Sequence, residues 1–572
     1  MNMNKMIKNG LLMLTAGAFI VSCADYNETY NFTAEPSQKS VRPYDDLAPV
    51  KSYIDREKYP NMSLGATLAV EEYNKQALAH SVAQTNFNDV TFGSTLMPSA
   101  IINEKGVMNF LSMMNLLDHV EGIGGEVYGS PLVANANQAD KWFDMLTAPI
   151  EIKVDLIEDK FVDYTTMETF TGTIIEDGKR GNKVGIKENY DGEDNALKVS
   201  KQAVVYIVEG FDIDPKGKYT VTFYAKVDKV KNDETIYCTF ADSLLQQGEG
   251  DKKKAISYAI KPDKWNKITI DEIRPKEGVT DGYLMIEGNK NADVYIKNVK
   301  VTHTPDNHRP QTAQERTDTI NYALNAWCDG FMKINKGRIT SFDLIDEAID
   351  SKKTLDNGKF DLKHSTEKIF WQDILGSENY APVVSKVASE TFEKHGGNLA
   401  ELRFFIAEAG LEDPKKMESL EYWIDVWSNK GAKIDGINAK LNLTYSEDET
   451  KQAENEAKLN TLLDNLAATG KLIRLSNFDI PYLDATGAKV STQAITSEQR
   501  EKLANYYAYV IKSYMNKIPH DKQAGICKAN MVDTTDPVGL WTNEVVDAKG
   551  TKDWVRNATY KAFCDALSGK TN

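Results

Sequence analysis

Residues 470–483 read GKLIRLSNFDIPYL. After Gly470 the run IRLSNFDI is apolar over most of its length, which predicts a buried strand that ends at polar groups, Asn477 and Asp479. Helical spacing flanks it on both sides, in ENEAKLNTLLDNLAATG before it and REKLANYYAYVIKSYMNKI after it. A short apolar run between amphipathic helices is the pattern of a parallel sheet covered by helices.

The alternation continues outward. RITSFDLIDEAI, LRFFIAEAG, KIDGINAKLNL and QAGICKAN read as further strands, and YAPVVSKVASETFEKH and LEYWIDVWSNKG as helices. Before residue 147, LGATLAVEEYNKQALAHSVAQTNF, NDVTFGS, FLSMMNLLDHVEGI and EVYGSPLV repeat the theme. Together the two stretches supply about eight strand–helix pairs, the number of a single (β/α)8 barrel. Between them the texture changes. KQAVVYIVEGF, KYTVTFYAKVDKV, ETIYCTFAD, KKAISYAI, KWNKITI, GYLMIEG and ADVYIKNVKVTHT are strand-like runs separated by charged or Gly/Asp/Asn/Pro turns, which predicts an all-β sandwich. The expected fold is therefore an α/β barrel interrupted by an inserted sandwich: barrel over 51–146, sandwich over 147–305, barrel again over 306–572.

The chain has 572 residues, a hydrophobic fraction of 41% and a formal net charge of −16. That balance excludes nucleic acid as a partner, because polyanion binding rests on basic surface that releases counterions. Cys238, Cys328, Cys527 and Cys564 are scattered, and neither they nor the seven histidines show metal-ligand spacing. No metal or cofactor is expected.

At the N-terminus Lys5 and Lys8 precede a short apolar stretch, GLLMLTAGAFIV, and then Ser22-Cys23. The segment is too short to span a bilayer and has the order of a signal peptide. The small residue before Cys23 resembles the lipobox of bacterial lipoproteins, which implies cleavage, a lipid on Cys23 and a polar tether over 24–50. The expectation is a protein anchored to the bacterial outer membrane through that lipid, facing the cell surface.

The barrel segments resemble glycoside hydrolase family 10, the endo-β-1,4-xylanases. FDLIDEAID resembles the family's W-D-V-V-N-E-A-I segment and puts Glu347 on its acid/base glutamate. FWQDILGSENYAPVVSKVA, LRFFIAEAGLED and GAKIDGINAKLNL follow in the family's order. IRLSNFDI resembles I-R-I-T-E-L-D-I, the strand that carries the nucleophile, and there the sequence has Asn477. A retaining glycosidase needs two carboxyl groups about 5 Å apart, one to protonate the leaving oxygen and one to attack the anomeric carbon. An amide can do neither.

The departure has company. TFGSTLMPSA replaces T-P-E-N-E-M-K-P, so Gly93, Ser94 and Thr95 stand for charged residues; YGSPLVANANQ puts Ser130 and Asn135 in place of two histidines and Ala134 in place of a tryptophan. Lys440 and Asn442 replace a glutamine and a histidine, Asp346 an asparagine, and Ala529 and Asn530 a tryptophan–glycine pair. The resemblance implies a sugar-cleaving subsite that has lost its lining. Glu347 remains as a lone acid, with Glu408 as an alternative second carboxylate and Asp479 and Asp533 in supporting roles. The sandwich motifs resemble carbohydrate-binding modules of families 4, 9 and 22, and its available aromatics are Tyr206, Tyr224, Tyr237, Tyr258, Trp265 and Tyr283.

The expected function is a surface lipoprotein that binds a polysaccharide or oligosaccharide without retaining hydrolysis, with other outer-membrane glycan-uptake proteins as candidate partners. The sugar-contacting residues expected are Asp346, Lys440, Asn442 and Asn135 in the barrel and Trp265 and Tyr258 in the sandwich. The alternative is an active endo-β-glycanase of the xylanase type that uses Glu347 with an unconventional partner.

Overall fold

The computed structural model describes residues 42–76, 78–122, 125–178, 183–192, 194–241, 256–545, 550 and 552–569. The expected signal segment, Cys23 and most of the expected tether lie outside these residues. The chain forms two compact units, one comprising the residues through Phe143 together with Ile320 onward, the other Asp144–Thr319.

The first unit is built on β1 (Leu64–Thr67), β2 (Asp89–Thr91), β3 (Glu126–Tyr128), β4 (Val133–Ala134), β5 (Ser341–Asp346), β6 (Arg403–Ala409), β7 (Gly436–Lys440), β8 (Leu472–Ser476) and β9 (Gln523–Lys528). Each pairs in parallel with its neighbours, and β9 pairs with β1. β3 and β4 form one interrupted stave: β3 lies on β2, Gly129 bridges to Phe342, and β4 lies on β5. Eight staves thus close on themselves as a (β/α)8 barrel, which leaves no free edge. Gly129 is required at the interruption, since a Cβ there would run into the Phe342 ring.

The helices start where the sequence offers caps. Asp413 accepts from the Lys415 amide ahead of Pro414–Asn429, Asp448 caps Glu449–Ala468, and Thr496 with Gln499 forms a capping box ahead of Ser497–Lys517. Large buried side chains then tie helices to strands. The Trp327 indole donates to the Leu132 carbonyl at 2.9 Å, and the Tyr514 hydroxyl donates to the Ile473 carbonyl at 2.7 Å. Both groups bury an aromatic body while keeping their polar atom paired.

The second unit is an antiparallel sandwich. One sheet runs in the order Ile256–Ile260, Glu234–Phe240, Asp281–Glu287, Val204–Asp212, Ile174–Glu176. The other runs Asn266–Ile273, Lys218–Val227, Val294–Thr304, Ala196–Val199, Gly185–Lys187, with Ile157–Val162 also on Val294–Thr304. Alternate residues enter the shared core: Val205, Ile207, Ile236, Cys238, Leu284 and Ile286 from the first sheet, and Val221, Phe223, Ala225, Val294 and Ile296 from the second. The unit reaches beyond residue 305 because His308–Arg309 pairs with Ile150–Glu151.

Candidate functional site

The C-terminal ends of the barrel strands surround a cavity of about 270 Å³, walled by Tyr128, Asp343, Asp346, Lys440, Asn477 and Ala529 among others. This is the end of a (β/α)8 barrel on which sites are built. Asp346 ends β5 and Lys440 ends β7, so both side chains meet at the mouth. Lys440 Nζ donates to Asp346 Oδ1 at 2.7 Å and to Glu347 Oε1 at 2.8 Å; Lys363 Nζ lies 3.9 Å from Glu347 Oε2.

These contacts fix the charge states. Burial would raise the Glu347 carboxyl, but the hydrogen bond and charge of Lys440, with Lys363 beyond, outweigh it and hold Glu347 below the usual carboxylate range. Burial would likewise lower Lys440, and the charges of Asp346 and Glu347 reverse that and raise it. Asp346 is raised by burial, an effect that Lys440 partly offsets. Lys440 and Lys363 thus favour the anionic form of Glu347.

Asn477 follows β8 directly. Its Nδ2 donates to the Leu441 carbonyl at 3.0 Å, which engages the amide in joining two strand ends. Its φ is 53° and that of Glu347 is 47°. Left-handed backbone is uncommon outside glycine, and asparagine tolerates it better than glutamate does. The chain thus holds both positions expected to carry chemistry in left-handed backbone, each at the first residue after its strand.

Below the mouth the barrel interior is polar. Asp343 Oδ1 accepts from the Tyr128 hydroxyl at 2.7 Å, and both Asp343 oxygens accept from Asn438 Nδ2, at 3.1 and 3.0 Å. Burial, and then the charge of Asp346, push the Asp343 carboxyl up to about 7 despite those hydrogen bonds. One layer deeper, Arg474 NH2 donates to Asp89 Oδ1 at 2.8 Å, its guanidinium lies 4.0 Å over the Tyr128 ring, and Ser63 also donates to Asp89. Tyr128 joins the two layers, with its hydroxyl on Asp343 and its ring under Arg474.

The structure brings Asp346, Glu347, Lys440 and Asn477 to one place and leaves other expected residues elsewhere. Glu408 requires correction as an alternative acid: it is 1% exposed, paired with Lys416 Nζ at 2.7 Å and bonded by the Ile349 amide. A carboxylate that water cannot reach cannot activate one. Asn442 is exposed and outside the cavity, its backbone amide donating to Glu412 at 3.0 Å. Asn135 follows β4, and its amide atoms are buried without a hydrogen-bond partner among the described residues. Ser130 donates to the Gly93 carbonyl at 2.7 Å; Asn530 bonds Asp479, and Asp533 is held by Arg500.

In the sandwich Tyr258 also requires correction: it packs against the core, because it shares strand parity with buried Ile260. Trp265 is half-buried, with Lys297 Nζ 4.6 Å over its ring and Tyr190 edge-on to it at 5.9 Å.

Asp343, Asn438, Arg474 and Asp89 are missing from the expected site, although the sequence holds their signal. Each is a polar residue in a short barrel strand whose last residue is also polar, in FDLID, GINAK, LIRLS and DVT, and each is buried. A buried polar group in such a run demands a partner, and four of them demand one another.

No curated protein matches the chain. Among solved structures, xylanase B from Clostridium stercorarium is similar at 11% identity, over 91% of this chain and 100% of its own, with a TM-score of 0.49. An endo-1,4-beta-xylanase from Penicillium canescens is similar at 12% identity, over 92% and 98%, with a TM-score of 0.48. An intracellular xylanase from Thermoanaerobacterium saccharolyticum, solved with xylotetraose, is similar at 11% identity, over 91% and 99%, with a TM-score of 0.47. The model of glycosyl hydrolase family 10 matches residues 301–555, the stretch that carries β5 to β9 of the barrel.

Proposed function

We propose that this protein is a lipid-anchored, cell-surface glycan-binding protein whose family 10 barrel does not carry out retaining hydrolysis. The observation that carries the reading is the pair of changes at the barrel mouth. Asn477 stands at the position that the family resemblance gives to the nucleophile, and its amide is engaged with the Leu441 carbonyl. Lys440 meanwhile holds Glu347, at the acid/base position, as an anion. Double displacement needs a carboxylate to attack and a protonated carboxyl to donate. With the first absent and the second clamped, neither half of the reaction has its group.

Binding places lighter demands on the site. The cavity offers carboxylate, amide, hydroxyl and ammonium groups around a space of about 270 Å³, a size suited to a sugar unit held by hydrogen bonds. The expected anchor at Cys23 fits a protein that holds a glycan at the surface for other outer-membrane proteins to take up.

Purified full-length protein, incubated with xylan and other β-glycans, is expected to retard these chains in affinity electrophoresis and to release no new reducing ends. Release of oligosaccharides that stops on Glu347→Ala would establish the alternative, an active endo-β-glycanase. Failure to bind any glycan would end the binding reading.

A further inference from the structure

Most histidines of this chain sit beside a carboxylate. His303 contacts Asp159 at 2.7 Å, His308 contacts Asp306 at 3.4 Å, His395 contacts Asp329 at 2.9 Å, and His364 contacts Asp373. His80 and His119 face each other instead. Their Nε2 atoms are 2.9 Å apart, with ring centroids 4.8 Å apart and planes at 60°.

The pair joins two helices on the flank of the barrel. His80 lies in Leu78–Asn86, between β1 and β2, and His119 in Leu111–Gly122, between β2 and β3. The two are 39 positions apart, which is why no ligand spacing shows in the sequence. His80 is buried and His119 half-buried, so the pair opens to solvent on the His119 side. The Tyr73 ring stands edge-on to both, with centroids 4.6 and 5.9 Å away. Gln84, one helical turn after His80 and on the same face, brings its terminal amide onto His80 Nε2 and within 3.4 Å of the Tyr73 hydroxyl. On the other side the Gln76 amide lies 3.1 Å from His119 Nδ1.

Hydrogen bonding alone serves this cluster poorly. A neutral imidazole has one lone-pair nitrogen, and here His80 Nε2 is approached both by His119 Nε2 and by the Gln84 amide. A metal ion at that point uses all three groups at once. Two nitrogens on a metal at 2.0–2.1 Å are about 2.9 Å apart at a right angle and about 3.4 Å apart in a tetrahedron, and the observed separation falls at the first of these. A half-turn of the Gln84 amide presents its oxygen as a third donor. The proton on His119 Nε2 moves to Nδ1, where a half-turn of the Gln76 amide provides the acceptor that a ligating histidine needs on its other nitrogen. Burial, and then the charge of His119, hold His80 below the ordinary histidine value, which favours the neutral form that ligates.

We propose that His80 and His119, with Gln84, form a binding site for a divalent transition-metal ion of the zinc, nickel and copper class, which clips the two helices together. Imidazole nitrogen selects these ions over magnesium and calcium, which take oxygen ligands. Among the described residues no third histidine, cysteine or carboxylate completes the set, so water fills the remaining positions and the affinity is modest. The site is independent of the glycan-binding reading and stands or falls without it.

Calorimetry on the full chain, stripped with EDTA and titrated at neutral pH with zinc, nickel or copper chloride, tests the site. One equivalent per chain is expected to bind, and the binding to be lost at pH 5, where both imidazoles take up protons. His80→Ala and His119→Ala are each expected to weaken it at least tenfold. His308→Ala, an exposed histidine of the sandwich, is the control and is expected to change nothing. Saturating zinc is expected to raise the melting temperature of the parent and not that of His119→Ala. His119 is half-buried, so this variant decides the matter even if His80→Ala does not fold. Copper bound to the parent is expected to show imidazole nitrogen couplings in pulsed electron paramagnetic resonance, and copper added to His119→Ala to lose them. Absence of binding, or metal held equally well by His119→Ala, would mean adventitious metal only and overturn the site. Magnesium or calcium bound as tightly as zinc would overturn the class of ion.

Discussion

Lys440 is the residue on which the chemistry of the barrel turns. One ammonium bridges two carboxylates from the end of β5 and so keeps Glu347 ionised. Replacing it in Lys440→Gln leaves Asp346 and Glu347 facing each other. The expected loss is about 2 kcal/mol at neutral pH, less than for a fully buried pair because the Glu347 side chain is 41% exposed. Chemical denaturation at pH 7 measures it, and an unchanged midpoint would show that the bridge is dispensable. Asn477→Glu is expected to give no xylanase activity in a reducing-sugar assay. The new side chain would sit on backbone with φ of 53°, lose the donor to Leu441, and still face a Glu347 whose anionic form Lys440 favours.

Asp343 makes the opposite case for a charge held against its preference. Its carboxyl titrates at about 7 in the fold, whereas an unfolded aspartate releases its proton near 4. The folded state therefore keeps a proton that the unfolded chain has lost, and stability falls as pH rises between those two values. Above pH 7 the cost is complete, on the order of 4 kcal/mol. Asp343→Asn removes the titration, and its amide can donate to Asn438 Oδ1, which has no partner. Its melting temperature is expected to exceed that of the parent at pH 8 and to match or fall below it at pH 4. A parallel pH profile for the two proteins would contradict this.

At the scale of elements, what the sequence revealed and what it hid follow from geometry. Barrel strands are buried on both faces, so LIRLS, GINAK and RFFIAEA show as apolar runs between helical spacings, and the closed parallel sheet could be counted from them. The sandwich was legible through alternation for the matching reason, one face in and one out. Facing was harder to read. Val204–Asp212 shifts register between Tyr206 and Val208 and again between Glu209 and Phe211, so counting by twos along YIVEGF misplaces side chains. Tyr258 in ISYAI lies in an unbroken run, where parity with Ile260 already pointed inward. The Lys440 bridge joins residues 93 and 94 positions apart, which no local pattern encodes.

A longer separation, 385 positions, divides Asp89 from Arg474, on β2 and β8, and this pair is nearly sealed. Arg474→Met leaves the Asp89 carboxylate inside the barrel with Ser63 as its remaining side-chain hydrogen-bond donor among the described residues. The expected cost is roughly 4 kcal/mol in equilibrium unfolding. A loss under 1 kcal/mol would mean that Asp89 takes up a proton or water at little cost.

For the whole molecule, the proposed lack of hydrolysis and the proposed anchor belong to one account. A binder that cut its ligand would release it from the cell; one that holds it intact keeps the chain at the surface for uptake. The proposed lipid on Cys23 would then serve retention and not affinity. Cys23→Ala is expected to shift the protein from the membrane fraction to the soluble one, to abolish labelling by a fatty-acid analogue, and to lower the amount of glycan that intact cells retain. Calorimetry on the purified variant should meanwhile give the affinity of the parent, because Cys23 lies about forty residues ahead of the first barrel strand, Leu64–Thr67, in the sequence. Loss of affinity in the purified variant would place the N-terminal segment in the binding site. Membrane retention without Cys23 would mean that something other than a lipid on this residue holds the protein there.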